Sequence, residues 1–202
     1  MRTEEASVTE SLAVIARLAR TADAAWLVGG SAGLMLRGLS LPRPPSDLDL
    51  YADEPDAARL HRVLAPYAID RPEQSRTELY DSVLSHYRMG ALQIELVGGF
   101  TITHASGIYR TETREVLLPE TEYEQVADGR IALVPLVHEL LFNALRGRDD
   151  RTALIAAAIA ASPDRERHER LLRTIIGRNR LSPELTQRMT RWVAGESQDG
   201  LR

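Results

Sequence analysis

The chain of 202 residues contains neither cysteine nor lysine. Without cysteine it can form no disulfide and no thiolate zinc site. Without lysine its permanent side-chain cations are all arginines, so an anion held by charge is held by guanidinium forks. Aromatic residues make up 5% of the chain, and among the arginines of residues 146–202 Trp192 is the one aromatic, so base stacking is not indicated there. No apolar run approaches the roughly 20 residues that span a bilayer. Met1 to Glu10 is charged and polar and does not resemble a signal peptide. A cytoplasmic protein without membrane attachment is the expectation. The histidines His61, His86, His104, His138 and His168 show no H-E-x-x-H or other metal-ligand spacing, and each reads as a surface or packing residue.

What is present suits one soluble enzyme with a sizeable core, 44% of the residues being hydrophobic. Ser7 and Glu10 have capping-box spacing before an amphipathic helix to about Ala22, and Pro55 opens a second helix carrying Leu60, Val63 and Leu64. Residues 82–97 read as a hairpin around Gly90, and 115–134 as two short strands broken at Asp128-Gly129. From Pro135 the chain turns helical, with helices near 136–146, 150–161, 165–177 and 183–194 separated by Gly147, Ser162-Pro163 and Ser182-Pro183. The expected organisation is a core over 1–134 followed by a helical region over 135–202. Charge follows the same division: residues 1–145 hold 13 arginines against 21 acids, and residues 146–202 hold 12 against 8. A basic tail beside an acidic core can hold a triphosphate or a nucleic-acid backbone, or can be a solvated helix face with intrahelical ion pairs.

Three short strings carry the chemistry: VGGSAG at 28–33, DLDLY at 47–51 and QIELVGG at 93–99. Residues 25–28 read as a short buried strand, Gly29 and Gly30 allow close backbone approach, and Ser31 to Arg37 reads as the start of a helix. Unpaired N–H groups there face an anion, and Ser31 can cap the helix or donate its hydroxyl to a phosphate. Asp47 and Asp49 are two residues apart, which in a strand puts both on one face while Leu48 and Leu50 enter the core. Glu95 lies among Ile94, Leu96 and Val97, where an uncompensated carboxylate is costly. If the two strands are neighbours, three acids converge. Like charges about 4 Å apart repel by roughly 4 kcal/mol at an effective dielectric near 20, so such a cluster requires raised pKa values or bound cations. Magnesium suits oxygen ligands, and a pair of ions about 3.5–4 Å apart can stabilise both the attacking and the leaving oxygen.

In this order of parts the chain resembles the nucleotidyltransferase superfamily that includes DNA polymerase beta and the lincosamide and aminoglycoside nucleotidyltransferases. It is most similar in flavour to the small bacterial members that include abortive-infection toxins. The family's pattern is a Gly-Gly turn, a short helix ending near Gly, an Arg four residues before the first Asp, D-x-D, and a later acidic strand residue. Gly29, Gly30, Gly38, Arg43, Asp47, Asp49 and Glu95 match it, over roughly residues 24–150. The resemblance implies an α+β fold, a small twisted mixed sheet flanked by helices with a C-terminal helical region. It also implies a metal-dependent attack of an acceptor on the α-phosphate of a nucleoside triphosphate such as ATP, with release of pyrophosphate. Asp47 and Asp49 then bind two magnesium ions, and Glu95 binds the catalytic one and acts as base. Gly29, Gly30 and Ser31 hold the terminal phosphates, with Arg43 and Arg148 as further phosphate contacts. Neither the acceptor, whether small molecule, RNA or protein, nor the oligomeric state is set by these residues.

One departure matters: similar proteins often carry a Lys ahead of a Gly-Arg-x-x-Asp stretch, and Asn143 stands at that place, while Gly147, Arg148 and Asp150 fit. Asn143 favours an alternative from another class, a non-catalytic nucleotide-binding or toxin–antitoxin-type module. Gly29, Ser31 and Gly33 also spell G-x-S-x-G, the nucleophile elbow of α/β-hydrolases. That fold places several strands before the nucleophile, and here only one helix and one strand fit into the first thirty residues.

Overall fold

Alternation of carboxylate and leucine gives residues 47–50 two unlike faces, and the fold uses both. The computed structural model describes residues 2–126 and 129–196, which form two compact units: Met1–Phe100 with Thr111–Val134, and Thr101–Arg110 with Pro135–Arg202. The first begins with α1 (Arg2–Ala22), β1 (Leu27–Gly29), α2 (Gly30–Leu36), β2 (Asp47–Ala52), α3 (Glu54–Leu64), β3 (Glu73–Arg76), β4 (Tyr80–Met89) and β5 (Leu92–His104). Beyond Phe100 the end of β5 and the following β6 (Gly107–Arg110) belong to the second unit. The chain then returns for one π-helical turn, Thr113–Leu117, and for β7 (Glu122–Val126) and β8 (Gly129–Leu133).

In the first unit the strands lie in the order β3-β4-β5-β2-β1-β8-β7. Strand β2 runs parallel to β5 and β1 parallel to β8, while the β1–β2, β3–β4 and β7–β8 pairs are antiparallel. The sheet is therefore mixed, as expected. On one face Val28, Leu48, Leu50, Ile94, Leu96 and Leu133 are at most 1% exposed. They join Val8, Leu12, Ile15 and Ala19 of α1 and Ala57, Leu60 and Leu64 of α3 in one hydrophobic cluster. The 4-3-4 spacing in α1 is the apolar stripe of an amphipathic helix, and each buried leucine contributes about 2 kcal/mol.

Three local expectations are corrected. Helix α1 already runs from Arg2, so Ser7 and Glu10 lie inside it and form no capping box; Arg, Glu and Ala before Ser7 are good helix formers and extend it. Gly29, not Ser31, occupies the N-cap of α2. Residues 113–120 are helical turns rather than strand, because Asp53 Oδ1 and Oδ2 accept the backbone N–H groups of Thr113 and Arg114, both at 2.9 Å. The adjacent Asp56 carboxylate, nearly buried, accepts from Arg114 Nη2 at 2.9 Å and Arg59 Nη1 at 2.8 Å. The expected break between the last two strands falls partly on Asp128, outside the described residues.

The second unit pairs the end of β5 with β6, antiparallel, and β6 with the two-residue β9 (Arg180–Leu181). Its helices are α4 (Leu136–Leu145), α5 (Asp149–Ala160), α6 (Arg165–Arg178) and α7 (Pro183–Val193), within a few residues of the expected bounds. Asp164 caps α6 by accepting the Arg167 N–H, and Ser182 caps α7 by accepting that of Leu185. Inside, the fully buried His138 shares a 2.7 Å hydrogen bond with the Tyr109 hydroxyl. Burial lowers the pKa of His138 to about 3. No helix among the described residues is long and apolar enough to cross a membrane.

Candidate active site

The acids meet on the sheet face opposite the α1–α3 core. In the parallel β2–β5 ladder Asp47 is opposite Gln93 and Asp49 opposite Glu95. Directly paired residues of neighbouring strands point to the same side about 4.8 Å apart, so Asp49 and Glu95 are side by side with Asp47 one step along. Leu48, Leu50, Ile94 and Leu96 alternate with them into the core. Glu95 responds to this crowding. Its carboxyl is held above the ordinary range, first by burial and then by the negative charge of Asp47, with His86 acting in the opposite direction.

The Gly-Gly turn meets the same acids. Gly29 is opposite Asp49 in the β1–β2 ladder, and the two glycines serve different needs. Gly29 has extended backbone, but a side-chain carbon there would lie 2.7 Å from the Tyr51 ring and 2.9 Å from Val134. Gly30 has φ +61, and a carbon on it would lie 3.0 Å from Asp49 Cγ and closer still to Oδ2. The Asp49 carboxylate thus occupies the place where any other residue would put its side chain. Ser31 follows in the first turn of α2.

Arg43 is exposed on the loop ahead of β2. In the second unit Arg148 faces Asp150 through its Nε at 3.2 Å, both side chains being largely exposed. Asn143 is buried on α4, its amide donating to the Glu139 carbonyl at 2.8 Å. A cavity of about 580 Å³ in this unit, lined by Ser182, Glu184, Arg188, Arg191 and Trp192, contains none of the sequence-predicted site residues.

Sequence reasoning missed His86. On β4, which neighbours β5, its Nε2 faces Glu95 Oε1 at 3.7 Å. Its other nitrogen, Nδ1, is 2.5 Å from Asp70 Oδ2, and its backbone N–H donates to Asp70 Oδ1 at 2.6 Å. Because Asp70 is 16 residues from His86, no local motif announces the pair. The available signal was weaker: a histidine between the buried Ser85 and Tyr87, one strand from an acid in an apolar run.

For a metal ion, the three carboxylates offer oxygen donors alone, the chemistry that suits a hard divalent cation such as magnesium. The ladder puts them on adjacent backbone positions. Among the described residues, however, no three His, Asp or Glu side chains form a ready-made ligand group. The donors fit in kind and in strand position, and closing them round an ion requires side-chain rotation.

Comparison with known proteins defines the fold. No protein-family model matches the chain, and no curated protein sequence is significantly similar to it. Solved structures do match. A candidate nucleotidyltransferase from Thermotoga maritima superposes with a TM-score of 0.56 at 19% identity, over 70% of this chain and 88% of that one. The solution structure of the antibiotic-resistance factor ANT(2'')-Ia gives 0.51 at 11% identity, over 84% of this chain and 91% of that one. Such identities speak for architecture alone, and the architecture agrees with the mixed sheet, flanking helices and C-terminal helices described above: the chain has the nucleotidyltransferase fold.

Proposed function

We propose that this chain is a metal-dependent nucleotidyltransferase that moves a nucleoside monophosphate from a nucleoside triphosphate to an acceptor hydroxyl, releasing pyrophosphate. The observation that carries the reading is the alignment of Asp49 with Glu95 across the β2–β5 ladder, with the Asp49 carboxylate set against Gly30. Rotation about side-chain bonds on this fixed backbone lets Asp47, Asp49 and Glu95 hold magnesium. Bound there, the metal supplies charge neutralisation at the α-phosphate and lowers the cost of bringing an oxygen nucleophile to it. Gly29, Gly30 and Ser31 present backbone N–H groups and a hydroxyl to the terminal phosphates, and Arg43 adds a guanidinium contact. Glu95 takes the proton of the acceptor hydroxyl as its oxygen bonds to phosphorus and the bond to pyrophosphate breaks. A carboxyl whose proton affinity is raised by burial and by Asp47 suits that role.

The absence of lysine and the burial of Asn143 in α4 favour a second reading, a module that binds nucleotide without transferring it. Glu95→Gln separates the two. Triphosphate binding should persist, because Asp47 and Asp49 remain, while transfer falls by about a hundredfold or more, equivalent to at least about 2.7 kcal/mol at the transition state. The assay is pyrophosphate release from each radiolabelled triphosphate with small-molecule, RNA and protein fractions of a host extract. Tight magnesium–triphosphate binding by wild type with no release from any fraction, and no difference in Glu95→Gln, replaces the enzyme with the module.

A further inference from the structure

Asp70 uses both carboxylate oxygens on one residue, gripping the backbone N–H and the ring of His86. The grip is reinforced by the chain around it, since Ala68 bridges Tyr87 and the Ile69 N–H donates to the His86 carbonyl at 3.0 Å. Two contacts to one residue fix both the position of the strand and the rotation of the imidazole. Strand alternation does the rest: Ser85 and Tyr87 are buried while His86 emerges on the other face of β4, where Nε2 stands 3.7 Å from Glu95 Oε1. The Glu95 side chain is 29% exposed and that of His86 25%, so neither is immobilised by deep packing. A glutamate with three rotatable side-chain bonds needs a neighbour to settle its carboxylate. The Asp70 carboxyl is pushed up by burial, yet the backbone N–H and ring of His86 outweigh this and leave it below its ordinary range.

We infer that Asp70 and His86 form a positioning pair that sets the orientation of the Glu95 carboxylate for attack by the acceptor. This rests on the nucleotidyltransferase reading, in which Glu95 acts at the reacting centre. The competing account is a staple that merely fastens the segment after α3 to β4. It needs the Nδ1 side of the ring and has no use for Nε2.

Amide isosteres tell these apart. His86→Asn keeps a donor near the place of Nδ1 and loses the edge facing Glu95; His86→Gln reaches the place of Nε2. Transfer by the full chain is measured as pyrophosphate release with magnesium and the triphosphate and extract fraction that serve wild type best. Crystal structures of wild type, His86→Asn, His86→Gln and Asp70→Asn supply a readout independent of activity, and thermal melting confirms that each is folded. Positioning requires turnover to fall by about tenfold or more in His86→Asn and Asp70→Asn, with KM for triphosphate within about twofold and substantial recovery in His86→Gln. It also requires the Glu95 carboxylate to move or disperse in the first two variants and to hold its wild-type place in His86→Gln. A Glu95 side chain unmoved in His86→Asn and Asp70→Asn overturns the inference, as does turnover by His86→Asn equal to wild type. Should wild type transfer nothing while Glu95 still follows His86, the enzyme reading fails and the role in acceptor attack is overturned with it, leaving a structural contact that orders Glu95.

Discussion

Replacing Gly30 with alanine tests the site at the point where backbone and carboxylate meet. Two effects are built into the substitution. The first is backbone strain, since φ is +61 and an alanine held in that left-handed region costs about 1–2 kcal/mol. For a chain of this size that corresponds to a fall in Tm of roughly 2–8 °C. The second is local displacement: the new methyl would lie 3.0 Å from Asp49 Cγ and closer to Oδ2. Carbon and oxygen atoms pack at about 3.5 Å, so the carboxylate must retreat on the order of 1 Å. A reacting group misplaced by about 1 Å loses about a hundredfold in rate. Gly38→Ala is the matched control, because Gly38 has φ +75 and nothing within 4 Å of its added carbon. Both variants should melt earlier by similar amounts, but only Gly30→Ala should lose pyrophosphate release and the stabilisation conferred by magnesium with triphosphate. Equal activity in the two variants, at equal melting temperatures, would refute the argument that the Asp49 carboxylate seated on Gly30 is part of the reacting centre.

Two further outcomes can be measured directly. His138 is neutral in the folded state, its pKa lowered to about 3 by burial, while in the unfolded chain it titrates near 6.5, so the unfolded state binds the extra proton as pH falls. Its contribution is complete above about pH 6.5 and is lost at about 1.4 kcal/mol per pH unit on descending towards pH 3; between pH 7.5 and 4.5 the urea-unfolding stability of His138→Gln should fall by about 2–3 kcal/mol less than that of wild type, and equal falls would contradict it. Arg43→Ala should leave the free energy of unfolding within about 0.5 kcal/mol of wild type, the side chain being exposed, yet raise KM for magnesium–triphosphate several-fold; an unchanged KM removes Arg43 from the phosphate site.

The parts of the fold governed by local pattern were legible in the sequence. Asp47, Leu48, Asp49 and Leu50 alternate by chemistry as a two-faced strand must, and the four late helices announce themselves through Gly147, Ser162-Pro163 and Ser182-Pro183. Elements decided by distant partners were not. The turn at 113–117 is closed by Asp53, sixty residues earlier. Strand β3, Glu-Gln-Ser-Arg, carries no apolar pattern because it lies at the sheet edge and is mostly exposed. His86 reads as one of five unremarkable histidines until folding brings Asp70 and Glu95 to its two nitrogens. The candidate acids could be named from strand alternation, whereas the group beside them depends on which strands are neighbours, a tertiary fact with no local signature.

The route of the chain between the two units limits how the protein can be taken apart. It passes from one to the other after Phe100, Arg110 and Val134, so no single cut releases either unit whole. A fragment ending at Val134 would keep β6 but lose its partner β9, leaving an unpaired strand edge open to self-association. Recombination would meet the same obstacle: exchanging the C-terminal helices by a junction at 134 would also have to find a β9 for the resident β6. A faithful dissection has to carry Thr101–Arg110 with the helices and rejoin Phe100 to Thr111 by a short linker.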